Sequence, residues 1–150
     1  MRSAKRLQPV ARLARHSERD AARRHGNVLR EYQQQQQQLD ELIRYRNQYV
    51  ENFQRAGKAG LSIVQLRDYQ LFLSRLDQAI AQQNQQVQQR QQVSQQSQAN
   101  WMEKRGKSKM IDKVVANRAE AERRQQEKRE QRELEDRPAG RLRGNVSGNV

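Results

Sequence analysis

A single 3-4 spacing of seam positions runs without a break from Leu66 to Val115, and no other feature restricts the fold of this chain as much. One line reads Leu66, Leu73, Ile80, Val87, Ser94, Trp101, Ser108, Val115; the interleaved line reads Tyr69, Leu76, Gln83, Arg90, Ser97, Lys104, Ile111. A strand repeats every two residues and cannot present this pattern. So long an uninterrupted heptad predicts a left-handed coiled coil. The seam is apolar near Leu66, poor between Val87 and Trp101, and apolar again at Ile111 and Val115. Beyond Val115 it is essentially charged.

A second seam precedes it, with Val28, Gln35, Leu42 and Tyr49 in one line and Tyr32, Leu39, Arg46 and Phe53 in the other. Upstream the same register meets Ala14, Glu18, Ala21 and His25, a weak core. Leu7, Val10, Leu13 and Ala14 begin the stripe, and Pro9 suits a helix only if the helix starts close to it.

Between the seams lies one turn, Ala56-Gly57-Lys58-Ala59-Gly60-Leu61-Ser62. Gly57 and Gly60 can both take positive φ without a Cβ penalty and so stop one helix and reverse the chain. Ser62-Ile63-Val64-Gln65 has the form of a capping box, flanked by Leu61 and Leu66 as a hydrophobic staple. The expected architecture is all-α: a long antiparallel two-helix coiled-coil hairpin over 1–136, with helices at about 5–56 and 62–136 and a turn at 57–61. Facing residues should then sum to about 117, pairing Tyr49 with Tyr69, Leu42 with Leu76, and Leu7 with Ile111. The paired rod would be roughly 75 Å long. The rest of the second helix, from Ala116 to Asp136, is expected to be a charged single-helix overhang with Glu120-Arg124 and Glu133-Arg137 spaced for ion pairs. Pro138-Ala139-Gly140 opens an expected disordered tail, 137–150.

Composition agrees with a rod. Only 33% of the residues are hydrophobic and 5% aromatic, too little for a layered globular core. Gln33–Gln38 is an uninterrupted run and Gln dominates 82–98, which reads as solvated helix surface in a soft middle segment. There is no Cys, so disulfides and thiolate metal sites are excluded. No apolar run approaches the roughly 20 residues of a membrane span, and no apolar segment follows the basic start as a secretory signal would require.

Net charge is +13 and unevenly placed: residues 1–30 carry nine Lys/Arg against two acids, 31–100 seven against six, and 101–150 fourteen against nine. A hairpin brings both basic segments together. An acidic protein surface, a nucleic acid or an anionic membrane would be attracted to them.

No constellation for catalysis, metal or cofactor binding is present. His16 and His25 stand alone in an Arg-rich helix and read as solvated helix residues. The two turn glycines follow no strand and precede no Gly-Lys-Ser/Thr. The chain is therefore expected to act by binding. Tyr45 and Phe72 are aromatics that the seam leaves over, at mirror distances from the turn. With Leu71, Ala79 and Ile43 they form a candidate patch, the alternative being that they merely widen the core. A basic coiled-coil nucleic-acid binder is the rival reading, although acids are mixed among the C-terminal Arg residues and no stacking platform accompanies them.

Leu42-Ile43-x-Tyr45-Arg46-Asn47-x-Tyr49, Gly60-Leu61, Leu66-x-x-Tyr69-x-x-Phe72-Leu73-x-x-Leu76-x-x-Ala79-Ile80-x-x-Gln83, and Trp101 with Lys104-Arg105 resemble the FliJ family of flagellar export proteins. The resemblance implies a non-enzymatic stalk-like coiled coil of the bacterial flagellar type III secretion apparatus, without cofactor. It would be cytoplasmic and held peripherally at the inner membrane through that apparatus. The implied partners are the hexameric export ATPase FliI, whose pore would take the end holding both termini and whose assembly would be promoted, the cytoplasmic domain of the export gate protein FlhA near the turn, and export chaperones. The gate-facing residues of the family match Gln38, Leu42, Tyr45, Tyr49, Phe72, Leu76 and Ala79 here, while Gln83 stands where some relatives carry His.

Overall fold

The computed structural model describes residues 2–147, with side chains described from 3 to 136. Two helices pack against each other, α1 (Arg2–Gly57) and α2 (Ile63–Ser147), and no strand occurs among the described residues. The expected tail, 137–150, lies outside the residues whose side chains are described. The chain divides into two compact units. A terminal unit joins Met1–Glu18 with Glu103–Val150, and a turn unit comprises Arg19–Met102.

In the turn unit the reversal forms as its local chemistry dictates, with one difference. Ala59 N–H donates to the Ala56 carbonyl at 3.1 Å and Gly60 N–H to that of Gly57 at 3.3 Å. Gly57 remains the last residue of α1, and Gly60 alone has positive φ, at 92°. One left-handed residue is enough to leave the helix, so the second glycine keeps ordinary geometry. The capping box is made in both directions: Gln65 N–H donates to Ser62 Oγ at 3.2 Å and Ser62 N–H to Gln65 Oε1 at 3.0 Å. Leu61 is half-buried over the end of α1, its Cδ1 3.6 Å from where a Cβ on Gly57 would stand.

Every seam position from Tyr69 to Val115 is buried or half-buried, and so is every one from Val28 to Phe53; only Leu66 is exposed. The spacing thus holds through Gln, Arg and Ser as firmly as through Leu. His25 departs from the expectation of a solvated histidine. It is buried, stacks on Trp101 with ring centroids 5.9 Å apart, and its Nδ1 lies 3.3 Å from Ser97 Oγ. Its seam position prevailed over its polarity, because a flat Trp face and one hydroxyl supply what an imidazole needs when covered. His16 is exposed.

The terminal unit corrects two expectations. First, α1 begins at Arg2, so Pro9 lies inside it. Proline removes one intrahelical bond, to the carbonyl of Lys5, and the turns ahead of it need support from elsewhere. Glu122 of α2 provides it: its Oε1 accepts from Ser3 N–H at 3.1 Å and Ala4 N–H at 3.3 Å, while Arg118 Nη1 donates to Ser3 Oγ at 3.0 Å. An acid from another helix thus serves as the N-terminal cap that the local sequence lacks. Second, the pairing register is shifted. Arg15 meets Asp112 at 4.0 Å and Ser3 meets Glu122, which moves Leu7 about two helical turns away from Ile111. The buried residues here are Ala4, Ala11 and Ser108, too small to fix a register by interdigitation, so the cap and the ion pair set it. Pairing consequently reaches Glu122 rather than stopping at Ala116, and the residues from Arg123 to Asp136 are all exposed. Arg123 bridges Glu120 at 2.7 Å and Glu127 at 2.8 Å, and Arg124 approaches Glu120 at 3.4 Å. These contacts hold the Glu120 carboxyl below its usual range, through the Arg123 hydrogen bond first.

Candidate partner-binding surface

The matched residues of the turn unit are organised by a ladder of rings that steps between the helices. Phe53 stacks on Tyr69 with centroids 3.4 Å apart, Tyr69 on Tyr49 at 5.4 Å, Tyr49 tilts onto Phe72 at 4.6 Å, and Phe72 meets the edge of Tyr45 at 6.2 Å and 81°. The Tyr69–Tyr49, Tyr49–Phe72 and Phe72–Tyr45 contacts lie at separations where aromatic pairs add about 0.5–1.5 kcal/mol each beyond area burial. The ladder fixes the rotamers of its members, and its outermost rung, Tyr45, is 51% exposed. A ring held in place by its neighbours and open to solvent loses little freedom when a partner covers it.

One turn further along α1, Gln38, Glu41, Leu42, Tyr45 and, from α2, Gln83 line an open cleft of about 390 Å³. Gln83 is the connecting group. Its Nε2 donates to the Gln35 carbonyl at 2.9 Å, to Gln35 Oε1 at 2.8 Å and, weakly, to Gln38 Oε1 at 3.4 Å. Two cross-helix ion pairs bracket the region, Arg46 with Asp77 and Arg90 with Glu31 at 3.0 Å. The Asp77 carboxylate, by hydrogen bond and by charge, raises the Arg46 guanidinium further above its ordinary value.

Of the seven candidate residues, Gln38 and Tyr45 are exposed, Leu42, Tyr49, Phe72 and Ala79 are half-buried, and Leu76 is buried at 7% exposure. The structure brings Tyr45, Tyr49 and Phe72 into ring contact and places Gln38, Leu42 and Tyr45 on one cleft. Leu76 belongs to the core beneath. Tyr45 and Phe72 therefore do both things that the sequence left open: Phe72 widens the core, and Tyr45 stands on it facing water.

The cross-helix role of Gln83 was not legible beforehand, since a Gln in a Gln-rich helix carries no signal. Its seam position was the one available clue. The described residues contain no group of three His, Cys, Asp or Glu placed to hold a metal ion, and no helix among them is long and apolar enough to cross a membrane.

Residues 3–140 match the family described as Flagellar FliJ protein. The chain is also 37% identical over 93 residues to the Flagellar FliJ protein of Escherichia coli (strain K12), an alignment covering 62% of this chain and 63% of that relative. The match thus spans a little under two thirds of the relative's length. No solved structure matches the chain. With nearly its whole length matched by the family's pattern, this chain belongs to the flagellar FliJ family.

Proposed function

We propose that this protein is a non-enzymatic component of the flagellar protein export apparatus, a helical adaptor that binds the cytoplasmic domain of the export gate protein FlhA through the Tyr45 surface. It binds the export ATPase FliI, promoting assembly of its ring, through the terminal unit, and it escorts export chaperones. Family membership supports the flagellar setting, and the carrying observation is the ring ladder ending in exposed Tyr45 beside an open cleft. Aromatic anchors of this kind dominate interface energies. The terminal unit supports the second attachment by composition, with nineteen Lys/Arg against ten acids in residues 1–18 and 103–150. Such a surplus speeds association with an acidic surface.

The deciding experiment is a titration of the full chain against the FlhA cytoplasmic domain, with wild type and Tyr45→Ala/Phe72→Ala compared. A tenfold or greater loss of affinity at unchanged helicity is expected; equal affinity removes the surface from the mechanism. Deleting residues 1–15 is expected to impair activation of the ATPase, and full activation by the truncated chain sinks that attachment.

A further inference from the structure

The two sides of the terminal unit differ in chemistry. In a helix, the residue before a seam position and the residue after it point about 100° to opposite sides of that position. When two helices pair antiparallel, the residues that follow seam positions share one side of the pair, and those that precede them share the other. Arg15 and Asp112 follow the seam residues Ala14 and Ile111, and their 4.0 Å contact spans the first side. Within 3–18 and 103–122 that side also carries Lys5, Arg12, Arg105 and Lys109, and Asp112 is its one acid. On the other side Val10, Leu13, Met110 and Val114 precede Ala11, Ala14, Ile111 and Val115. They are 46%, 70%, 61% and 38% exposed. Charge here is sparse: Arg6 and Lys107 bound the apolar residues, and Lys107 already holds Glu103 at 3.4 Å. The next acid on this stripe of α1, Asp20, is held by Arg24 at 2.9 Å. The remaining charges of these segments sit in the seam or on the outer backs of the helices.

We infer that the apolar side is a contact with a second copy of this chain, the two terminal units packing face to face as four helices. A two-fold axis along the helices sets α1 of each copy beside α2 of the other, antiparallel as neighbours in a bundle commonly are. The Ser3–Arg118 and Arg15–Asp112 contacts place Val10 level with Val114 and Leu13 level with Met110. Each apolar pair of one copy therefore meets the same pair of the other. At the same levels Arg6 comes opposite Asn117 of the second copy, and Lys107 opposite its Ser17, so no like charges face. The cation-rich sides are turned outward and away from each other. An anionic bilayer or a nucleic acid would be drawn to that cation-rich side and would leave the apolar one uncovered. Four partly exposed side chains per copy supply less than the about 1,200–2,000 Å² of a stable interface, so the dimer is weak and depends on concentration.

The inference rests on none of the partners proposed above, and the full chain alone tests it. Sedimentation equilibrium over about 10–500 µM is expected to show a monomer–dimer equilibrium. Leu13→Gln/Met110→Gln should weaken it tenfold or more at unchanged helicity, since both side chains lie outside the seam. Raising salt from about 50 to 500 mM should strengthen it, because repulsion between two basic units is screened and the apolar contact is not. The chain has no Cys, so a mixture of Leu13→Cys and Met110→Cys chains should cross-link across the contact, while Lys109→Cys chains, altered on the charged side, should not. A chain that stays monomeric at the higher salt overturns the contact. A dimer indifferent to the Leu13/Met110 variant, as exchange of helices through the hairpin seam would be, overturns it as well, and so does equal cross-linking at position 109. Flotation of a monomeric chain with phosphatidylglycerol vesicles, lost in the Leu13/Met110 variant, replaces the second copy by a lipid surface.

Discussion

The side-chain amide of Gln83 on α2 reaches Gln35 on α1 and donates to both its carbonyl oxygen, at 2.9 Å, and its side-chain oxygen, at 2.8 Å. This contact ties the soft, Gln-rich stretches of the two helices together at a half-buried seam position where an apolar residue would be the ordinary choice. Polar seam residues cost stability and specify register. Gln83→Ala is expected to lose about 1 kcal/mol in urea unfolding, the net worth of a typical internal hydrogen bond. Gln83→Leu should be neutral or more stable, yet admit slipped pairing, which cysteine cross-linking between positions near 35 and 83 would detect. A single cross-linking register in the Leu variant would show that the amide does not set the register.

The turn separates its two glycines energetically. Gly60, at φ 92°, has nothing within 4 Å of an added Cβ, so the cost of Gly60→Ala is purely that of the backbone. About 1–2 kcal/mol of destabilisation is expected from forcing an L-residue into the left-handed region. Gly57→Ala places its Cβ at an ordinary 3.6 Å from Leu61 Cδ1 and should be neutral or stabilising by about 0.4–1 kcal/mol. Equal losses in the two variants, read by urea midpoint, would contradict the assignment of the reversal to Gly60 alone.

Leu76 and Tyr45 should behave oppositely although both belong to the set proposed to face the gate. Leu76 is 7% exposed and Tyr45 51%. Leu76→Ala is expected to cost about 2–3 kcal/mol, the lower end for a buried Leu because the seam of a two-helix unit is thin. Tyr45→Ala removes one edge contact from Phe72 and should cost about 1 kcal/mol or less. Thermal unfolding measured beside gate binding distinguishes them: a binding defect in the Tyr45 variant comes with stability intact, and one in the Leu76 variant does not.

These residues also show where the sequence suffices and where it stops. The 3-4 spacing put Gln83, Arg90, Ser94 and Ser108 on the seam, where they are buried or half-buried although the Gln-rich stretch 82–98 reads by composition as solvated surface; position prevails because a helix commits every seventh residue to the same stripe whatever its chemistry. The capping box was readable because both of its partners lie within four residues. Contacts across long separations were not. The acceptance of two α1 amides by Glu122, at separations of 118 and 119 residues, has no local signature, and the register beside it, where only small Ala and Ser side chains are buried, follows that cap and the Arg15–Asp112 contact rather than any pattern in the sequence. His25 misled for a related reason, since its burial depends on Trp101, 76 positions away. Tyr45 and Phe72 stood out because they are aromatic residues just beside a seam.

Glu122 supplies a pH-dependent cap to the start of α1. Its carboxyl is held below the ordinary range, first by hydrogen bonding to the chain's amino group and then by the amide of Ala4, with the positive charge of the amino group and the amide of Ser3 adding to this against a cost of desolvation. A depressed folded-state value means that the cap stabilises the folded chain above the unfolded value, about 4.3 for Glu, and is lost as pH falls through the lower folded value. Hydrogen exchange is therefore expected to show Ser3 and Ala4 amides protected at neutral pH relative to a Glu122→Ala variant. That difference should shrink as pH falls below the unfolded value, about 4.3, and vanish once pH lies beneath the lower folded value. Glu122→Gln keeps an acceptor without the charge and should fall between the two at neutral pH, with no acid dependence of its own. Protection of Ser3 and Ala4 that is indifferent both to Glu122→Ala and to acid would show that the start of α1 is held by its own helix rather than from α2.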